Sequence, residues 1–123
     1  MPLTARELIE TFWEIQEARD YSRLVDLFAD DAVLEDPLYG SIVGKKNIAE
    51  FMQTMNEATA DQQAHFEARE ICGDSTVAWC KWEAVMPDRS VEGCGIYKVI
   101  DGKLAYYRDY YDTSAFKSPA ESE

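Results

Sequence analysis

Two aspartates stand where a carboxylate could move a proton. Asp36 directly precedes Pro37 in the stretch LFADDAVLEDP, and on a strand it shares a face with Leu34. A carboxylate that ends an apolar wall is desolvated, which raises its pKa toward the range of a useful general base. Asp109 lies in LAYYRDYYD, where a period of two puts Ala105, Tyr107, Asp109 and Tyr111 on one face. The hydroxyls of Tyr107 and Tyr111 can hydrogen-bond that carboxylate and orient it. If the two aspartates share a pocket, like charges in low dielectric resist double ionisation. One then keeps its proton and acts as acid while the other acts as base.

Other candidates depend on which way a strand faces. From Thr76 to Met86, one face carries Ala78, Cys80, Trp82, Ala84 and Met86, and the other carries Val77, Trp79, Lys81, Glu83 and Val85. The first face is the more apolar, which favours Trp82 as a hydrophobic pocket wall. The opposite face carries Lys81 and Glu83, which read as an ion pair or a solvated face. A slip of one residue exchanges the two arrangements. His65 is the sole histidine and stands among Gln63, Glu67 and Arg69, so it reads as a solvated or interface residue, and one chain has no multi-histidine metal site. Cys72, Cys80 and Cys94 form no C-x-x-C pair and read as buried free thiols. No metal and no organic cofactor are expected.

These residues need elements to position them. Thr4-Ala5-Arg6-Glu7 has the form of a capping box, followed by Leu8, Ile9, Phe12, Trp13 and Ile15 at helical spacing, which predicts a helix to about Ala18. Asp20 can cap a short second helix carrying Leu24, Val25, Leu27 and Phe28. Ala32 to Glu35 reads as a short strand, Tyr39 to Gly44 as a loop, and Lys45 to Met55 as a third helix with Ile48, Phe51, Met52 and Met55 as its stripe. Strands are predicted over 62–72, 76–86, 91–100 and 103–112, with Asp101-Gly102 as a strong hairpin signal. Helices followed by hairpin-linked strands predict an α+β domain over residues 1–117, its three helices on one face of a curved antiparallel sheet. Residues 118–123 are polar and read as a frayed tail. Aromatic residues on both faces of the last strand suggest that the outer sheet face is covered in a homodimer.

Composition bounds the partners. The chain has 123 residues, 46 % hydrophobic and 12 % aromatic, enough for one core, and a net charge of −12 that repels nucleic acid and anionic membranes. No apolar run has the length of a membrane span, and MPLTARELIE lacks a secretory pattern, so a cytoplasmic location is expected.

The order of these features resembles the nuclear transport factor 2-like, or SnoaL-like, superfamily, with the likeness running from about Glu7 to Phe116. It implies a cone in which helices and a curved sheet enclose a deep, largely apolar pocket for a small hydrophobic ligand. The group includes ketosteroid isomerases, polyketide cyclases, scytalone dehydratase and limonene epoxide hydrolase. LFADDAVLEDP resembles the isomerase segment whose Asp before Pro is the general base, which implies that role for Asp36. The isomerase's two oxyanion donors fall on Phe12 and Gly95, neither of which is a donor. GKLAYYRDYYD resembles the epoxide hydrolase, implying that Asp109 helps to activate water, with Lys81 and Glu83 at its earlier charged positions. Phe12, Trp13 and Tyr97 read as core or pocket lining. The expected activity is cofactor-free isomerisation or cyclisation of a small hydrophobic carbonyl or polyketide-like compound; the alternatives are epoxide hydrolysis and ligand binding without catalysis.

Overall fold

The computed structural model describes residues 3–116, so the tail expected at 118–123 lies outside the described residues. Helix α1 spans Ala5–Glu17 and α2 spans Tyr21–Val25; strand β1 spans Phe28–Asp36 and β2 Gly40–Val43; α3 spans Lys45–Asp61. Four strands follow: β3 His65–Gly73, β4 Val77–Val85, β5 Ser90–Ile100 and β6 Lys103–Tyr111, then a 3₁₀ turn at Thr113–Phe116.

The six strands form one sheet in the order β2-β1-β6-β5-β4-β3. The α+β architecture is as expected, but the sheet is mixed. β1 runs parallel to β6, while the other pairs are antiparallel. The parallel pair arises because the last strand, the fourth of four hairpin-linked passes, returns to the free side of β1. This pairing brings Asp36 beside Asp109, as described below.

Local sequence explains most boundaries. The predicted capping box at α1 is made: the Glu7 amide donates to Thr4 Oγ1 at 3.2 Å, and the Thr4 amide donates to Glu7 Oε1 at 3.0 Å. The next two free amides, of Ala5 and Arg6, donate to the carbonyls of Ser75 and Asp74 in the β3–β4 turn, which docks the helix start on the sheet. Asp20 stands at the start of α2 but makes no side-chain cap to that helix; its carboxylate accepts from the Ser22 hydroxyl instead. Helix α3 runs six residues beyond the predicted Met55, because no helix breaker intervenes before Gln63, which takes a φ of 56°. The predicted loop at 39–44 contains β2, which β1 pulls into register as an edge strand. Asp101 and Gly102 both have positive φ, 52° and 77°, as a tight primed hairpin turn requires.

The core sits between α1, α3 and the inner face of the sheet, where Leu8, Ile9, Phe12, Phe28, Leu34, Ile48, Tyr97 and Leu104 are fully buried. One tether escaped the sequence reading. Arg19 sits in the left-handed region (φ 59°) just after α1, and its guanidinium donates to the Ala64 carbonyl at 2.9 Å, Asn56 Oδ1 at 3.1 Å and Thr59 Oγ1 at 3.1 Å. It fastens the α1–α2 corner to the C-terminal end of α3, and these two elements form the roof of the pocket.

Candidate functional site

A cavity of about 110 Å³ lies between the inner sheet face and the helices. A dry apolar cavity of roughly 150 Å³ holds one benzene ring, so this space suits a compact molecule. Its walls are apolar on α3 (Phe51, Met52, Met55) and aromatic on the sheet (Phe66, Trp82), with Asp36 and Asp109 among its lining residues.

Register sets the two carboxylates side by side. Glu35 pairs with Arg108 across β1 and β6, so the next step along the parallel strands puts Asp36 beside Asp109 on the inner face. Asp36 is 7 % exposed. Its Oδ1 accepts from the amides of Leu38 (2.8 Å) and Tyr39 (3.2 Å) and from the Tyr111 hydroxyl (2.9 Å). Asp36 is therefore both the start of a turn and a pocket acid. The turn bonds lock its χ angles, and Tyr111 reaches it from the same face as Asp109.

Asp109 accepts from Trp82 Nε1 at 3.2 Å and from the Tyr107 hydroxyl. The residue keeps some solvent contact, but its carboxyl lies deep among protein atoms. Burial pushes its pKa up to about 7, the two hydrogen bonds oppose the rise, and the nearby Asp36 carboxylate adds to it. Burial likewise raises the Tyr111 hydroxyl, helped by its bond to Asp36.

The Asp109 shift makes stability depend on pH. Its folded pKa is above the unfolded value, so the folded state binds the extra proton between about pH 4 and pH 7. This contribution is full below the unfolded pKa and is lost as pH rises to 7. Unfolding free energy should fall by about 2 kcal/mol across that window, after allowance for partial solvation of the carboxyl. Asp109→Asn should flatten the fall, as chemical denaturation at pH 4.5 and pH 8 would measure; equal slopes in both proteins would sink the assignment.

The other candidates separate cleanly. Trp13, Leu34, Trp82, Tyr107 and Tyr111 line the cavity. Phe12 and Tyr97 do not; they are packed in the core beneath it, 5.6 Å apart by ring centroids. Lys81 and Glu83 lie on the outer sheet face, because the apolar alternation of β4 turns Ala78, Cys80, Trp82 and Ala84 inward. Glu83 accepts from Arg69 Nη2 at 2.8 Å there. Neither residue can reach the pocket. His65 is exposed on β3. Of the cysteines expected to be buried, Cys80 is, with its thiol pushed up to about 12 by burial, but Cys94 is half-buried and Cys72 is exposed near the end of β3. No group of three potential metal ligands occurs among the described residues.

Sequence reasoning named the apolar stripe of α3 but did not place it at the pocket; Phe51, Met52 and Met55 face the cavity. Methionines one turn apart on a helix above a pocket give it a deformable wall, and that pairing was the available signal. It also missed the Trp82–Asp109 bond, which depends on two glycines. A Cβ on Gly93 would come within 2.2 Å of Trp82 Cζ2, and one on Gly95 within 3.1 Å of Asp109 Oδ1. The bare backbone of β5 is what lets the indole lie across it toward Asp109.

Residues 9–107 match the SnoaL-like domain family. The chain belongs to the SnoaL-like family. No curated protein matches the sequence. Among solved structures, this SnoaL-like protein is similar to a candidate ketosteroid isomerase from Kribbella flavida (18 % identity, TM-score 0.75, covering 87 % of this chain and 76 % of that one). It is also similar to an LEH-like epoxide hydrolase from M. tuberculosis (22 %, 0.67, 90 % and 86 %) and to an NTF2-like protein of unknown function from Burkholderia xenovorans (22 %, 0.71, 87 % and 81 %). At these identities the likeness is one of fold. No described helix of this SnoaL-like protein is long and apolar enough to cross a membrane.

Proposed function

We propose that this SnoaL-like protein is a cofactor-independent acid–base enzyme that isomerises or cyclises a small hydrophobic carbonyl compound. The observation that carries the reading is the adjacent pair of carboxyls in one apolar pocket, with Asp109 titrating near neutrality. Asp36 takes a proton from the carbon next to the carbonyl. The electron pair moves onto the carbonyl oxygen, which receives the Asp109 proton, giving a neutral enol. Return of the proton to a different carbon completes isomerisation, and attack of the enol on a second carbonyl of the same substrate gives ring closure. A proton from Asp109 would replace the oxyanion donors that Phe12 and Gly95 cannot supply. The cavity volume favours a single-ring substrate over a steroid.

The same carboxyls could open an epoxide, with Asp36 activating water and Asp109 protonating the departing oxygen. The fold likeness to the M. tuberculosis hydrolase supports keeping this second reading. The experiment is a screen of wild type against a monocyclic β,γ-unsaturated ketone, a small diketone and a small epoxide. Turnover of a ketone that both Asp36→Asn and Asp109→Asn abolish supports the proposal, and turnover of the epoxide alone supports the second. Micromolar binding of such molecules without turnover would leave a binding module and end both.

The outer sheet face supports a homodimer. Val77, Trp79 and Tyr110 are exposed there at 40 %, 36 % and 48 %. Cations (Lys81, Lys98, Arg108) stand between anions (Glu35, Glu83, Glu92) on this face, so a second copy meets less repulsion than elsewhere on a chain of net charge −12. Light scattering at micromolar concentration should give twice the chain mass, and a monomer mass would end this proposal.

A further inference from the structure

The cavity has two unlike ends. At one stand the carboxyls, followed in the chain by Tyr39, whose ring meets that of Phe51 on α3 at 5.4 Å between centroids. From Phe51 the helix carries the cavity wall through Met52 and Met55 to Thr59, about 12 Å along its axis at about 1.5 Å per residue. Thr59 and the Ala64 carbonyl share the Arg19 guanidinium, and Ala64 directly precedes β3. In the sheet β3 is separated from β1 by β4, β5 and β6. The Thr59 end of the cavity therefore lies across the sheet from Asp36.

This far end is polar. Gln16, Tyr21 and Gln62 line it beside Thr59. Thr59 is already committed: its hydroxyl donates to the Met55 carbonyl at 2.7 Å and accepts from Arg19 Nη2 at 3.1 Å. Gln16 and Gln62 differ, since among the described residues neither side-chain amide has a hydrogen-bond partner. A primary amide offers two N–H donors and an acceptor oxygen. A wholly apolar ligand filling the cavity would strip water from these groups and return no bond, which weakens binding. The Arg19 guanidinium is turned to Ala64, Asn56 and Thr59, so this end offers hydrogen bonds but no free cation for an anionic group.

We infer that Gln16, Tyr21 and Gln62 recognise a second polar group on the ligand, a neutral hydroxyl or carbonyl at the end of the molecule opposite the carbonyl that meets the carboxyl pair. The ligand class narrows from any small hydrophobic ketone to a single-ring ketone that is polar at both ends and apolar between them, of which a para-hydroxylated aryl ketone is the simplest example. The apolar middle matches the wall of Phe51, Met52 and Met55. The inference rests on the reading of the carboxyl pair as the carbonyl end, but its test is binding and needs no turnover.

The probes are acetophenone, para-hydroxyacetophenone and para-acetylbenzoate, titrated into the full chain at pH 6 and followed by the backbone amide shifts in NMR. The hydroxylated ketone should bind about 3- to 10-fold more tightly than acetophenone, the worth of one modest hydrogen bond. The benzoate, charged at the same position, should bind no more tightly than acetophenone. Gln16→Met and Gln62→Met replace each amide by an apolar chain of similar length and comparable helix propensity. Together they should bring the ratio close to one, with acetophenone bound as well as before or better. Tyr21→Phe should lower the ratio in the same direction, and it serves alone if the double variant fails to fold. Equal affinity for the two ketones in wild type, no binding of either, a preference unchanged in the variants, or tighter binding of the benzoate than of the hydroxylated ketone overturns the inference. A preference in a protein that turns over no ketone keeps the polar end and removes the catalytic reading, whereas turnover without a preference does the reverse, so the two failures are distinguishable.

Discussion

If Asp36 is the base of the proposed reaction, Asp36→Asn should lower turnover of a ketone by about 10²- to 10⁴-fold, the usual contribution of a positioned general base, with KM nearly unchanged. That loss corresponds to about 3–5 kcal/mol of transition-state stabilisation. The substitution isolates chemistry from structure because of how Asp36 is held. Its Oδ1 accepts from the Leu38 and Tyr39 amides and the Tyr111 hydroxyl, and the amide oxygen of asparagine accepts all three in the same geometry. The turn at Pro37 survives, the cavity keeps its shape, and the only thing lost is a basic carboxylate oxygen. Removing one of two neighbouring carboxyls also relieves the repulsion that raises Asp109, so the Asp109 midpoint moves down in the same variant. Steady-state kinetics and thermal unfolding together check this. A variant that turns over at the wild-type rate, or one that loses activity only by unfolding, refutes the base assignment.

Gly93→Ala should be among the most destabilising single-methyl additions in the chain. The new Cβ would sit 2.2 Å from Trp82 Cζ2 and 2.5 Å from Cη2, against the face of a rigid indole. Trp82 is 3 % exposed and hemmed in by Phe66 and Tyr111 at centroid distances of 5.7 and 5.8 Å, so it cannot simply swing away. Overpacking of this kind costs about 2–3 kcal/mol, a fall in Tm of about 10 °C for a domain of this size. The displaced indole also gives up its bond to Asp109, which lifts the Asp109 midpoint. Calorimetry and tryptophan fluorescence would report both effects. A variant with wild-type Tm would mean that β5 and Trp82 are not packed as described.

The elements were legible where local chemistry decides them. Thr4 to Glu7 spelled out a helix start, Asp101-Gly102 a hairpin, and the alternation from Ala78 to Met86 gave the inward face of β4 and so brought Trp82 to the pocket rather than Lys81 or Glu83. What failed to show were facts of long-range pairing. The parallel contact of β1 with β6 joins segments 73 residues apart, as in the Arg108–Glu35 bond, and no turn residue announces it. Edge strand β2 has a composition that reads as a loop until β1 supplies its partner. The contact of the Tyr97 and Tyr107 rings was hidden for a similar reason. Tyr97 and Tyr107 sit on neighbouring strands, and only the cross-strand register makes them partners. The absent side chains of Gly93 and Gly95 look like weak points in a strand until the indole and the phenol that occupy their space are seen.

The position of β6 between β1 and β5 has a consequence for how the molecule comes into being. Asp36 precedes Asp109 by 73 residues, so every fragment that ends before Lys103 carries at most half of the carboxyl pair. Until β6 slides between its two neighbours, β1 and β5 each expose an unpaired edge and the hydrophobic cleft stands open to solvent. Closure of the sheet and creation of the acid pair are therefore one event.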